Sequence, residues 1–323
     1  MRKTLFCAAA LAAVCAAACV QKDMDVRIPD NAEEVELAVS VPQALTKATD
    51  TEGEETVESL QVFVFRKDGA LDAWSSAQAS LLTLKCPAGD KDIVAVVNAP
   101  EITISDKTAL EEAVTQLSDN AKGRYVMYGS KAETVVASSS IEVPVSRKVA
   151  RIAIHKITNA FSLEQYQDSE LELSRIYLVN VAGDATYGKD AVPSVWHNMM
   201  QLENDLPDIL ESGEIGEQIA YGSSYSVPHY FYCYPNGTEQ DSSDEVWSAR
   251  YTRLVVEVKV DGVPYYYPVS VPDIKSNHKY EITELKITRL GSDSPDEPVS
   301  VQEASFTVSV QDWTPGTSGT VEI

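Results

Sequence analysis

Cysteine is scarce and poorly placed for a disulfide framework. The 323 residues hold five, and Cys7, Cys15 and Cys19 all fall in the first nineteen positions, leaving Cys86 and Cys233 in the body of the chain. Two thiols so far apart read as buried free cysteines, with a single bridge between domains as the alternative. Histidine is scarcer still: His155, His197, His229 and His278 pair neither with one another nor with a cysteine at metal-binding spacing, so no zinc site is expected. Basic residues are few. Lysine plus arginine total 26 against 49 aspartate plus glutamate, a formal net charge of −23, which argues against nucleic acid or an anionic membrane surface as main partner. Gly-x-Ser-x-Gly, the phosphate-cradling Gly-x-x-x-x-Gly-Lys-Ser/Thr and His-Glu-x-x-His are all missing from the sequence. Hence no catalytic residue, cofactor or metal site is expected. The acidic stretches Glu54-Glu55 and Asp293 to Glu297 read as solvated loops in preference to calcium sites.

What is present is a hydrophobic content of 44%, enough for real cores, on a chain long enough for two domains. Met1-Arg2-Lys3 is a short basic start, and Thr4 to Ala18 is apolar but too short and alanine-rich to span a bilayer comfortably. The run ends Ala16-Ala17-Ala18-Cys19, which resembles a bacterial lipoprotein signal. Residues 1–18 are then a signal peptide and Cys19 the lipidated new N-terminus, giving a chain anchored to a membrane without spanning it. An ordinary cleaved signal with an incidental cysteine is the alternative.

Beyond residue 30 the dominant hydrophobic period is two. Val35, Leu37, Val39 and Val41 share one face of a strand about 23 Å long. Pro42 to Glu55 is a polar connection containing Thr46-Lys47-Ala48. Strands then fit Leu60 to Phe65, Leu71 to Trp74 after an Asp68-Gly69 turn, Leu81 to Cys86, Ile93 to Val97, Tyr125 to Tyr128 and Ile141 to Val145. Leu110, Ala113, Val114 and Leu117 recur at helical spacing after Asp106, a plausible N-cap, and predict one helix. A domain boundary is placed where alternation restarts at Val149, giving domains 48–148 and 149–323. The second contains Leu171 to Asn180, a polar insertion from Ala191 to Leu210 with a short helical turn near Trp196, and Tyr230 to Tyr234. A hairpin follows, Tyr251 to Val260 and Val263 to Val271 about Asp261-Gly262, whose composition suits a type I′ turn. Then come Tyr280 to Leu290, Ala304 to Trp313 and Thr320 to Ile323. Many short strands and few helices predict an all-β chain of β-sandwiches with minor helical insertions. Tyr265-Tyr266-Tyr267 suggests a sugar-stacking platform, but alternation sends the middle ring to the opposite face, which favours cross-strand packing. The four tryptophans read as core or rim aromatics.

An ordered set of short motifs now carries a resemblance. The lipoprotein-like start, the Val35 to Val41 strand before Lys47, and Val57-Glu58-Ser59-Leu60-Gln61-Val62-Phe63-Val64-Phe65 are similar to the beginning of type V pilins, the fimbrillins of Bacteroidales. Val96-Val97-Asn98-Ala99-Pro100, Met127-Tyr128-Gly129-Ser130, Val145-Ser146-Arg147-Lys148-Val149-Ala150-Arg151-Ile152, Asn277-His278-Lys279-Tyr280 and Val310-Gln311-Asp312-Trp313 follow in the expected order. Each is weak alone; the ordered combination is specific. The resemblance implies two transthyretin-like sandwiches and a structural, non-enzymatic subunit of a fimbria. It further implies a precursor lipid-anchored in the outer membrane and a mature form that is extracellular, joined to copies of itself and to other fimbrial subunits. Arginine is expected at the family's cleavage position, where this chain has Lys47.

The physical logic runs alongside. A sandwich lacking one strand exposes unpaired backbone and a slot for alternate side chains, into which another chain's strand can dock. The strand carrying Val35, Leu37, Val39 and Val41 would fill its own groove within a propeptide of residues 19–47, and a cut between Lys47 and Ala48 would release it. Cutting at Arg27 instead would leave that strand attached. Phe306, Val308, Val310, Val321 and Ile323, at alternate positions near the C-terminus, would enter the vacated groove of the next subunit, a head-to-tail contact that does not close and so makes a filament. Removing residues 1–47 takes away five basic and six acidic residues and moves the charge only to −22. Strand pairing and apolar burial must therefore hold such subunits together. A fimbrial anchor or tip subunit, and a surface glycan-binding lipoprotein, remain alternatives.

Overall fold

The structure is a computed structural model that describes residues 34–42, 53–189, 191–204, 207–242, 244–300, 303–313 and, for the backbone alone, 321–322. Cys19, Lys47, Ala48 and Ile323 lie outside the described residues.

Nine strands form the first half: β1 (Glu34–Ser40), β2 (Leu60–Arg66), β3 (Leu71–Ala77), β4 (Leu81–Pro87), β5 (Gly89–Val97), β6 (Val114–Gln116), β7 (Met127–Val135), β8 (Ser139–Glu142) and β9 (Ser146–Arg147), with helix α1 (Lys107–Glu112) before β6. A three-stranded sheet, β4-β1-β8, faces a five-stranded sheet, β3-β2-β5-β7-β9. The inward residues of both sheets, among them Leu37, Val39, Val62, Val64, Ile93, Ala95 and Ile141, make one core. The five-stranded sheet is covered on its other face too: Phe63, Phe65, Trp74, Val94 and Val96 pack under Leu110 of α1 and Val126. Double coverage is why β2 reads Leu-Gln-Val-Phe-Val-Phe with hardly a polar gap. Gly129 of β7 has a local reason: a Cβ there would lie 1.9 Å from the Pro144 carbonyl oxygen, so the chain can cross β7 only where a side chain is missing.

The second half contains β10 (Ala150–Ile154), β11 (Ile157–Asn159), β12 (Leu171–Val179), β13 (Val181–Ala182), β14 (Asp184–Thr186), β15 (Trp196–His197), β16 (Glu217–Gln218), β17 (Ser224–Tyr225), β18 (His229–Cys233), β19 (Thr252–Val260), β20 (Val263–Val271), β21 (His278–Ile287), β22 (Ala304–Asp312) and β23 (Val321–Glu322). One sheet is built on β21, which pairs in parallel with β10 and β11 and antiparallel with β22; β18 and β17 lie outside β10 and β11, and β23 lies outside β22. Facing it is β16-β12-β19-β20. Ile152, Ile154, Leu173, Ile176, Val256, Val258, Tyr280 and Ile282 fill the space between. The β19–β20 hairpin turns through Asp261 (φ 48°) and Gly262 (φ 81°), the two left-handed residues a type I′ turn requires.

Three expectations are corrected. Asp106 does cap α1, accepting from the Ala109 amide at 2.9 Å, but the helix ends at Glu112 instead of running to Leu117. Residues 114–116 are drawn into an antiparallel ladder with β14 from the second half, a partner invisible to local periodicity. The helical turn near Trp196 is instead β15, paired with β13. Nor is the acidic stretch 293–297 wholly solvated: Asp296 is 3% exposed, accepting from Arg250 Nη1 at 2.6 Å, Arg253 Nη1 at 2.5 Å and Asn180 Nδ2 at 2.7 Å. Cation pairing at that depth offsets the carboxylate's desolvation and clamps the loop onto the sheet.

Sheet membership changes between β9 and β10, yet the halves interlock. Leu117 and Tyr125 enter the second core, and Tyr187 enters the apolar cluster beneath α1. Tyr234 Oη sits 2.9 Å from both Thr115 Oγ1 and Asn120 Nδ2, and Lys148 Nζ donates to the Tyr187 carbonyl at 3.1 Å.

Candidate functional site

β1 does not lie on an edge. It runs antiparallel to β4 along its whole length, Val35 opposite Cys86 and Val39 opposite Leu82, and parallel to β8 from Leu37 to Ser40. The Val41 amide continues the ladder to the Ser80 carbonyl at 3.0 Å. Val35, Leu37, Val39 and Val41 point into the core at 8%, 0%, 0% and 4% exposure, while Glu34 and Glu36 face solvent. The alternation thus reports a real inward face. Four side chains of this size contribute roughly 6–12 kcal/mol of gross burial. Among the described residues β1 is also the sole connection between β4 and β8 within their sheet, so taking it out leaves two facing rows of unpaired backbone above an open apolar floor.

At the other end of the chain, β22 pairs with β21, Val310 opposite Tyr280 and Val308 opposite Ile282. Val308 is 3% exposed and Val310 is half-buried against the second core, but Phe306 is 36% exposed. A register shift between Ile282 and Leu285 places a bulge beside Phe306, and the ring does not reach the depth of its strand neighbour. Val321 pairs through its backbone with Val310.

The quoted motifs, scattered along the sequence, converge where the halves meet. Asn98, at φ 56°, accepts from the Glu58 and Ser59 amides through Oδ1 and donates through Nδ2 to the Thr56 and Tyr125 carbonyls. Beside it Glu54 is 1% exposed. Its Oε1 accepts from Arg151 Nη1 at 3.0 Å and from Tyr232 Oη at 2.9 Å, and its carbonyl accepts from Arg147 Nε at 2.8 Å. Arg151, fully buried, also donates to Glu281 Oε1 at 2.6 Å, whose Oε2 lies 2.6 Å from His155 Nε2. Burial pulls the Arg147 guanidinium below its ordinary pKa, against the opposing pull of the Glu54 and Glu55 carboxylates. Over this network lies Trp313, the residue just after β22: Arg147 Cζ is 4.4 Å and Arg151 Cζ 5.5 Å from its ring centre, and the Tyr232 ring stacks on it at 5.9 Å. Sequence reasoning left Glu54 in a solvated loop and Trp313 among generic aromatics. The available signal was two arginines, 147 and 151, flanking the apolar positions of a strand that reads as buried.

Cys86 and Cys233 are free, buried thiols in different cores, and burial pushes them to about 11 and about 12. Tyr265 and Tyr267 turn toward the second core and Tyr266 toward the opposite face of the sheet, so the three rings make no common platform. Among the described residues no helix is long and apolar enough to cross a membrane.

Residues 34–165 match the family described as major fimbrial subunit protein (FimA). No curated protein sequence matches the chain. Among solved structures, a fimbrilin (FimA) from Porphyromonas gingivalis is 16% identical, with a TM-score of 0.61 over 88% of this chain and 99% of that one. A candidate cell adhesion protein from Bacteroides eggerthii is 18% identical, with a TM-score of 0.64 over 87% of this chain and 97% of that one. The tip fimbrial protein Mfa3 from Porphyromonas gingivalis, with a C-terminal truncation, is 14% identical, with a TM-score of 0.55 over 87% of this chain and 100% of that one. The family match covers β1 through the start of the second half, and these solved structures share the fold of nearly the whole chain.

Proposed function

We propose that this chain is a fimbrillin and a stalk subunit of a cell-surface fimbria, exported as a lipoprotein precursor through Cys19 and polymerised by donor-strand exchange after proteolysis between Lys47 and Ala48. The observation that carries the reading is the position of β1, buried in the middle of a sheet whose two other strands, among the described residues, it alone connects. A strand so placed cannot leave without opening a groove, and a groove with two unpaired edges and an apolar floor selects another alternating strand. The C-terminal residues Phe306, Val308, Val310, Val321 and Ile323 provide that alternation, and the exposed Phe306 ring has least to lose by moving. Because the donor belongs to one subunit and the groove to the next, the contact repeats without closing. Adhesion is then a property of the assembled filament at the cell surface.

Limited trypsin cleavage of a soluble chain from Gln21 to Ile323 tests this, with the new N-terminus read by mass and fibres sought by electron microscopy. Expected is an N-terminus at Ala48 with ladders or filaments, absent both from Lys47→Ala and from a chain ending before Ala304. A cleaved chain that remains monomeric at high concentration overturns the stalk assignment and favours an anchor or tip subunit, a role for which the shared fold of the tip protein Mfa3 is the supporting observation.

A further inference from the structure

Trp313 directly follows the strand β22, and its surroundings are unlike those of an ordinary core aromatic. Two guanidinium groups, Arg147 at 4.4 Å and Arg151 at 5.5 Å, face its ring, and Tyr232 stacks at 5.9 Å. Its backbone amide donates to the Asn277 carbonyl at 2.9 Å. Trp313 is 8% exposed, so the cation–π contacts are largely desolvated, the condition under which they are strongest. Glu54 contacts both arginines, its carbonyl taking Arg147 Nε and its Oε1 taking Arg151 Nη1, while Glu281 holds the far side of Arg151. Glu54 Oε2 is buried with no hydrogen-bond partner among the described residues, so the carboxylate depends on that arrangement and tolerates little displacement.

We propose that Trp313 and the Glu54–Arg147–Arg151 network form a latch that holds β22 on its own subunit and ties it to the segment lying just downstream of the propeptide. The ladder to β21 runs the length of β22 but is interrupted by a bulge beside Phe306, and on the other side, among the described residues, Ser309 and Val310 alone are paired. The caged ring supplies the missing hold at the strand's end. Glu54 acts on β22 through the two arginines and is a positioning residue. This latch rests on the donor-strand reading for its purpose, but not for its existence.

Hydrogen exchange by mass spectrometry on the uncleaved chain, Gln21 to Ile323, separates the two. Trp313→Leu keeps apolar volume while removing the ring, Glu54→Gln removes the charge that orders Arg151, and Trp247→Leu, which breaks the Arg250–Trp247 contact of 5.3 Å elsewhere, serves as control. Expected is exchange over residues 304–312 about tenfold faster in Trp313→Leu, and faster by a smaller factor in Glu54→Gln. Residues 34–40 should stay as protected as in the parent, and Trp247→Leu should leave residues 304–312 unchanged. Unchanged exchange of β22 in Trp313→Leu overturns the latch, and so does equal loosening of β1 and β22, which would make the ring plain core. After trypsin, earlier filaments from Trp313→Leu than from the parent support the latch as a brake on assembly. If β22 loosens as expected but no variant and no parent chain forms filaments, the latch stands and the donor-strand reading falls.

Discussion

β1 and β22 carry the same alternation of apolar residues and are held in different ways. β1 has a neighbour on each side and all its inward side chains in the core. Among the described residues β22 has a full neighbour on one side and a short one on the other, a bulge in the full ladder, and a ring left 36% exposed. Alternation tells which residues share a face, but depth is set by how many layers and strands enclose that face. A strand enclosed like β1 leaves on no useful timescale unless the chain is cut, because its ladder and its burial must be lost together. A strand enclosed like β22 can exchange once its end is freed. One chain thus contains two alternating strands enclosed to different degrees, distinguished by topology more than by composition.

The comparison breaks most visibly at Leu37. Leu37→Ala should destabilise the precursor by about 2–5 kcal/mol, read as a lowered denaturant midpoint, whereas after cleavage the same substitution has left with the propeptide and should have no effect on the mature subunit. Equal effects before and after cleavage would mean that β1 stays bound. Next in size is the reactivity of Cys86, which lies opposite Val35. Burial holds its thiol near 11 and that of Cys233 near 12, so at pH 8 neither presents much thiolate while covered. Removing β1 uncovers Cys86 and should speed its alkylation more than tenfold toward a pKa near 8.5, leaving Cys233 inert. Uniform alkylation of both would indicate unfolding in place of an opened groove. Val308→Ala should cost the precursor about 2 kcal/mol, less than Leu37→Ala, since it removes two methyl groups from a strand with a bulged ladder; a larger cost than at Leu37 would reverse the contrast between the two strands.

Much of this fold is legible in the sequence because strands with one solvated face declare themselves by period, and Asp261-Gly262 declares its turn by composition. The inward face of β1 was legible for the same reason: Val35, Leu37, Val39 and Val41 point one way in the sequence and in the structure. What was not legible depends on partners far along the chain. Residues 114–116 lie in a stretch of helical spacing but are claimed by β14, and Trp196 joins β13. Asp296 looks like one more acidic loop residue until Arg250 and Arg253 are placed beside it. The latch is the clearest case, since Glu54, Arg151 and Trp313 are separated by most of the chain and only the meeting of two sandwiches brings them together. Phe306 shows the converse limit, because period placed it with Val308 and a bulge in the neighbouring strand kept it shallow.

Phe306 gives the smallest effect on the single subunit and the sharpest test of what β22 is for. At 36% exposure its ring leaves water only in part, so Phe306→Ser should change the precursor's stability by less than about 1 kcal/mol, a shift of a few degrees at most in melting temperature. In the groove that β1 vacates, the inward positions are nearly fully buried, as Leu37 and Val39 show at 0%. A phenylalanine moved there gains the burial it lacks at home, and a serine brings an unpaired hydroxyl instead. Filament yield after trypsin should therefore fall sharply in Phe306→Ser while Phe306→Leu stays near the parent. Residues that are cheap to lose in the monomer and costly in the filament mark the surface that changes partner. If Phe306→Ser assembles as well as the parent, the exchanging segment begins beyond Phe306, and the part of β22 before the latch stays with its own subunit.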